Sequence, residues 1–280
     1  SVVVFAANPS AFSTSETNHG VEAAARKRRF LLNIVSLDES DMDSVKARVR
    51  MGLSIRPAGV IVYEYDRAGI AALEYIPKDM PMVVVGGSFG DGEYQVINAE
   101  RDGGRWMTMH LLDLGHRTVF HVGRPEGPTD NTRTNGWRDA LKERGVTAPD
   151  PIIVPDDDLE ESVKAGRTLG RRGDVTAIFA GNDETAIAVI RGLREVGRRV
   201  PADVSVVGFD DRNFGAMWNP ALTSYTQNFL DMGERSFRML FEQIQAKRAG
   251  DDAPPSQVEV VQGKPCLRAS ERAYGDGEIA

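Results

Sequence analysis

Residues 176–211, TAIFAGNDETAIAVIRGLREVGRRVPADVSVVGFDD, constrain the fold more than any other stretch of the chain. Two apolar runs, 177–180 and 204–209, are rich in the β-branched and aromatic residues that favour strands. Between them, residues 184–196 place Ala186, Ile187, Ile190 and Leu193 at helical spacing. A strand, a helix and a strand in so short a span predict a right-handed βαβ unit with parallel strands. Polar groups end both strands: Asn182 and Asp183 after the first, Asp210 and Asp211 after the second. In open α/β sheets ligands sit outside the carboxyl ends of the strands, so these four residues point at a site. Asn182 also has the chemistry of a helix N-cap, and Gly197 and Pro201 follow the helix end.

The same alternation runs through the rest of the chain. Strands are expected at 2–7, 30–36, 59–63, 82–86 and 94–98, with helices at 16–29, 42–53 and 68–76 between them. A second set follows, with helices at 103–114, 135–144 and 159–172 and strands at 117–122 and 151–154. After residues 176–211 come a short strand at 222–225, a helix at 229–247, a turn at 250–256 and a final strand at 258–262. Two successive sets, each large enough for its own sheet, imply an α/β protein with two similar doubly wound, parallel-sheet lobes.

Composition narrows the function. The net charge of −7 argues against this chain gripping nucleic acid by itself, because phosphate binding needs a basic face. No apolar run approaches the ~20 residues of a membrane span, and the first residues, leading straight into the strand at 2–7, do not read as a secretory signal. The lone Cys266 allows no intramolecular disulfide and fits a reducing compartment, so a cytoplasmic protein is expected. His19, His110, His116 and His121 lack metal-ligand spacing, and adjacent Asp156, Asp157 and Asp158 cannot converge on one ion. No metal or cofactor is expected. Residues 86–92 are glycine-rich but match neither phosphate-binding pattern, and no GxSxG elbow occurs, so an enzyme is not expected either.

Several residues admit both a structural and a ligand-binding reading. Asp210 and Asp211 are either a cap with a solvated carboxylate or acceptors for ligand hydroxyls and amines. Arg133, at the start of a helix, is either a surface arginine or a fork for hydroxyls or a carboxylate. His116, in LGHRT, reads as a helix-end or turn residue.

Residues 110–123 (HLLDLGHRTVFHVG), 133–141 (RTNGWRDAL), 177–211, 220–233 (PALTSYTQNFLDMG) and the RAS at 268–270 together resemble the effector-binding domain of the LacI/GalR family of bacterial transcription regulators. The stretch VPADVSVVGFDD with a PxLT segment after it is specific to that family, and the resemblance covers nearly the whole chain. It implies a periplasmic-binding-protein-like fold whose lobes are joined by three crossovers and hold effector between them. The C-terminal helix then returns to the first lobe, which predicts residues 1–98 and 228–256 as one lobe and 99–227 and 257–280 as the other. By position, the resemblance nominates Ser13, Thr14, Arg133, Asn182, Asp210 and Gln227 as effector contacts, with Thr129 and Asp130 in a contributing loop. Where relatives carry an aromatic pair this chain has Ser13-Thr14, and where they carry a second aromatic it has Asp158 or Leu159. Stacking would then fall to Phe12 or Trp218.

The resemblance further implies a small sugar-like or other polar effector, a homodimer formed through faces that include residues 53–55 and 70–75, and operator DNA read by a helix-turn-helix domain expected upstream of Ser1. The rival readings are a solute-binding protein of a sugar transporter and an enzyme on the same scaffold.

Overall fold

A computed structural model describes residues 1–38, 40–87, 94–125, 129–155 and 158–275. The glycine-rich residues 88–92 and the acidic Asp156 and Asp157 therefore lie outside the described residues. The chain divides into two units, residues 1–98, 127–129 and 228–262, and residues 99–126, 130–227 and 263–280.

In the first unit, β1 (Val2–Ala6), α1 (Phe12–Lys27), β2 (Leu32–Ser36), α2 (Met42–Ser54), β3 (Val60–Glu64), α3 (Arg67–Leu73), β4 (Met82–Gly86) and β5 (Gln95–Asn98) follow in order. Joined at one edge by β11 (Val258–Val261), the strands form a parallel sheet in the order β11-β5-β4-β3-β1-β2. Successive side chains of a strand point to opposite faces. Accordingly Val2, Val4 and Ala6 pack with Phe229, Met232 and Phe237 on one face, while Val3 and Phe5 pack with Val45, Val49 and Ala72 on the other. With both faces buried, the near-continuous apolar runs of these strands are what a parallel sheet requires.

The edge strand β11 (Val258–Val261) corrects the expected boundary. The family resemblance places residues 257–280 in the second lobe, but β11 pairs in parallel with β5 and residues up to 262 belong to the first unit. Val261 is buried in the same cluster as Val96, so burial of its apolar side chains selects the partner sheet. The helix before it, α9 (Phe229–Ala249), packs on α1 within the first unit. That contact is backbone-close: a Cβ on Gly20 would sit 2.1 Å from the Leu230 carbonyl oxygen.

In the second unit, α4 (Glu100–Asp113), β6 (Phe120–Gly123), α5 (Arg133–Glu143), β7 (Ile152–Ile153), α6 (Leu159–Gly170), β8 (Ala177–Ala180), α7 (Asp183–Glu195) and β9 (Ser205–Val207) alternate around a parallel sheet of order β7-β6-β8-β9. The βαβ unit read from residues 176–211 is β8-α7-β9. One face of this sheet packs on α6 and α7 through Ala165, Leu169, Val189 and Leu193, the other on α4 and α5 through Met107, Leu111, Trp137 and Leu141. The strand expected at 222–225 is β10 (Ser224–Thr226), and two small elements join the expected set: a short helix α8 (Asn213–Met217) after β9, and β12 (Lys264–Cys266), which pairs antiparallel with β10. The RAS segment is locked beside them: Ser270 Oγ donates to the Val206 carbonyl at 2.6 Å and accepts from the Thr223 amide at 2.8 Å.

Candidate functional site

The polar cluster of the second unit is organised by Arg133, the first residue of α5. Thr132 caps that helix by accepting from the Asn135 amide, which fixes where the arginine leaves the backbone. Its Nη2 donates to Asp210 Oδ1 at 2.9 Å and to Glu100 Oε1 at 3.3 Å, and Nη1 donates to the Gly181 carbonyl. The guanidinium carbon lies 4.2 Å from the centre of the Phe209 ring. Burial works against the arginine's charge, but the Asp210 and Glu100 carboxylates more than restore it, so its pKa stands above the ordinary value.

Asp210 is presented from just beyond β9. Its backbone has φ 92°, in the left-handed region that aspartate tolerates better than most residues, and its amide donates to the Tyr225 carbonyl. Besides Arg133, Gln227 Nε2 donates to Asp210 Oδ1 at 2.7 Å. Three of the residues nominated from sequence, Arg133, Asp210 and Gln227, are therefore in direct contact. Arg133 is not a free fork, however: Asp210, Glu100 and Gly181 already occupy its terminal nitrogens.

The other nominated residues of this unit do different work. Asn182 Oδ1 accepts from the Thr185 amide at 2.8 Å and caps α7. Asp158 likewise caps α6, accepting from the Glu161 amide at 2.9 Å. The carbonyl of Asp130 accepts from Asn135 Nδ2, while its side chain is exposed. Trp218 terminates α8, with its amide donating to the Gly215 carbonyl. The hydrogen bonds of Asp158 and Trp218 serve the ends of α6 and α8 rather than the Arg133 cluster.

Asp183 and Asp211 are structural. Asp183 is fully buried, accepts from Ser224 Oγ and the Arg212 amide, both at 2.6 Å, and burial pushes its pKa up to about 7. Asp211 accepts from Arg268 Nη2 at 2.6 Å. The buried histidines are also structural. His116 bonds Thr176 Oγ1 and faces Ser205 and the Arg272 carbonyl. Burial lowers the pKa of His121 to about 4, keeping it neutral against Phe179 and Trp137. Among the described residues no group of three or more His, Cys, Asp or Glu side chains could hold a metal ion.

In the first unit, Phe12, Ser13 and Thr14 form the first turn of α1 rather than the loop expected there. Nothing after Pro9 breaks a helix, and Thr17 Oγ1 bonds the Ser13 carbonyl, closing that turn. Phe12 meets Phe229 edge to face, with ring centres 5.8 Å apart. Thr129 Oγ1 donates to the Gly87 carbonyl at 3.0 Å.

Two residues carry no local mark in the sequence. Glu100 looks like an ordinary first-turn helix acid, and only the packing of α4 on α5 brings it to Arg133. Tyr65 follows β3, touches Tyr63 edge to face and directs its hydroxyl at Met232 Sδ, 3.6 Å away, so the strand ends of this unit do carry an aromatic ring.

The comparisons with known proteins agree with this architecture. The family described as a periplasmic binding protein-like domain matches residues 108–270, more than half of the chain. The HTH-type transcriptional repressor PurR of Yersinia enterocolitica is 30% identical over 253 residues, covering 88% of this chain and 72% of that protein. This chain is an effector-binding domain of the LacI/GalR family. Among solved structures, the complex of the transcriptional regulator CelR with cellobiose superposes on the LacI/GalR domain with a TM-score of 0.80 at 25% identity, over 96% of this chain and 84% of that one. The lac repressor dimer bound to operator superposes with a TM-score of 0.82 at 23% identity, over 97% and 94%. The LacI/GalR domain thus has the periplasmic-binding-protein-like fold implied by residues 110–123 and 177–211.

Proposed function

We propose that this domain senses a small polar ligand, a sugar or related metabolite, and that ligand binding tunes operator recognition by a helix-turn-helix segment of the same regulator. The observation that carries the reading is the Asp210 carboxylate, held beyond the end of β9 by Arg133 and Gln227. A fixed carboxylate at that sheet edge is suited to accept hydroxyl hydrogens of a polyol. The cellobiose complex of CelR and the repressor relatives support both halves of the proposal. In this reading Gln227 assists Asp210 by holding its carboxylate in place. Regulation requires that the ligand bind two conformations with different affinity.

We propose further that the protein works in the cytoplasm as a homodimer. Met51, Ile55 and Tyr75 of the first unit are 54%, 50% and 38% exposed, which supports an apolar contact surface around residues 51–55 and 70–75. No helix among the described residues is long and apolar enough to cross a membrane.

A thermal-shift screen of sugars, polyols and nucleosides, followed by calorimetry on the best binder, tests the reading. Asp210→Asn should weaken that binder at least about tenfold, the loss of a charge-assisted hydrogen bond. Unchanged affinity would remove Asp210 from the site.

A further inference from the structure

The sheet of the second unit has two ends, and the Asp210 cluster occupies only the one beyond β9. At the other end, the residues that lead from α7 into β9 bound an open cavity of about 600 Å³. Val200, Pro201, Pro220 and Ala269 line it with small apolar groups, and Arg194, Arg198 and Arg199 line it with guanidinium groups. Proline and alanine have almost no rotamer freedom to lose, so this wall is in place before any ligand arrives.

The three arginines differ in what their charge meets. Arg199 is closed by Asp203, with Nη2 donating to Oδ1 at 2.7 Å and Nε to Oδ2 at 2.9 Å. Arg198 meets only carbonyls. Its Nη1 donates to that of Arg172 at 3.3 Å and its Nη2 to those of Val175 and Asp203 at 2.8 and 3.3 Å, while the buried Nε has no acceptor. Arg194 uses only Nη2, on the Asn219 carbonyl, and keeps Nε and Nη1 uncommitted. Nearby carboxylates are engaged elsewhere, Glu195 with Arg167 and Arg191, and Asp174 with Arg172.

Carbonyls hold a guanidinium in position without cancelling its charge. Arg194 and Arg198 therefore bring two positive charges to the cavity, against about half a negative charge from the carboxyl end of α7. The balance favours an anion. A guanidinium fork fits the paired oxygens of a carboxylate or a phosphate, and the apolar wall beside it suits a hydrocarbon body.

We propose that this cavity is a second ligand site, at the opposite end of β9 from Asp210, and that it takes a small organic anion: a carboxylate or phosphate group on an apolar body. Arg194 and Arg198 receive the anionic group, and Pro201, Pro220 and Ala269 pack against the body.

Amide NMR spectra of the isotope-labelled domain, recorded at constant ionic strength, follow titrations with benzoate, with phenyl phosphate and with uncharged phenol as the control. At least one of the two anions should shift the amides of residues 194–203 and 219–221 saturably, with a Kd on the order of 1 mM from two charge-assisted contacts. Phenol should bind at least about tenfold more weakly. Arg194 is exposed and makes one hydrogen bond, so its replacement leaves the fold in place, which the same spectra verify. Arg194→Gln should weaken the bound anion about tenfold and Arg194→Glu should abolish saturation, whereas Arg194→Lys keeps the charge and most of the affinity. No saturation by either anion overturns the proposal, as do saturable shifts centred on other residues. Equal binding of phenol and the anions, or unchanged affinity in Arg194→Glu, overturns it as well.

Discussion

Arg133 and Asp210, 77 residues apart in sequence, meet through an Nη2–Oδ1 contact of 2.9 Å. Their side chains are only 8% and 12% exposed. At that burial neither charge is well solvated, so each depends on the other. Removing one partner leaves the other as an unpaired charge in the interior, which costs about 3–5 kcal/mol. Arg133→Met should therefore lower unfolding stability by about that amount, and Asp210→Asn by less, because the amide keeps an acceptor for Gln227. Urea unfolding of both single variants and the double variant gives the coupling energy. Strictly additive losses would show that the pair is not a unit.

Ser270, the last residue of the RAS segment, is fully buried, with its hydroxyl bonded to the Val206 carbonyl and the Thr223 amide. Ser270→Ala leaves a buried amide donor unsatisfied and should cost about 2 kcal/mol. Chemical denaturation checks this, and a change below about 0.5 kcal/mol, the usual range for surface positions, would mean that water replaces the hydroxyl.

Gly192 lies in the middle of α7, where alanine is the better helix former by about 1 kcal/mol. The structure reverses that preference. A Cβ on Gly192 would lie 2.1 Å from the Val163 carbonyl oxygen and 2.8 Å from the Arg167 amide nitrogen of α6. Gly192→Ala should destabilise by about 3 kcal/mol as the helices are forced apart. A rise in melting temperature instead would show that α6 and α7 are not packed backbone to backbone.

Asp183 gives the domain a pH dependence. Its folded pKa of about 7, raised by burial, stands above the ordinary value of 3.8. The folded state therefore holds a proton that the unfolded chain has released between those two values. The stability from the neutral carboxyl is fully present below about pH 4 and is lost as pH rises through about 7, with a slope of up to about 1.4 kcal/mol per pH unit. Melting curves of wild type and Asp183→Asn between pH 4 and pH 8 isolate this effect. The gap between the two proteins should shrink or reverse towards high pH, and a constant gap would mean that Asp183 is ionised throughout.

How much of the site was readable from sequence follows from which interactions are local. Asn182, Asp183, Asp210 and Asp211 stood out because strand ends are marked by the switch from apolar to polar residues. The separation of Asp210 from its structural neighbours Asp183 and Asp211 came from the family resemblance, and the hydrogen bonds to Ser224, Arg212 and Arg268 give its physical basis. Ser13 and Thr14 read as loop in the sequence, because polar residues after a strand look alike whether they extend the loop or open a helix. Glu100 and Tyr65 were invisible. The first differs in no local respect from any acid at a helix start, and the second follows a strand whose neighbours the sequence does not name.

Periodicity and strand-end chemistry by themselves determined that the chain alternates strands and helices into two parallel-sheet sets, with polar groups at the strand ends. Those signals are local, because alternation reports only which side of an element is buried. Which sheet β11 joins, and which acids Arg133 serves, were decided by tertiary structure alone. The first depends on where Val261 finds a matching apolar cluster, the second on α4 and α5 meeting closely enough to bring Glu100 to the arginine. Pairings of that kind are set by packing between distant segments, where no residue carries a mark of its partner.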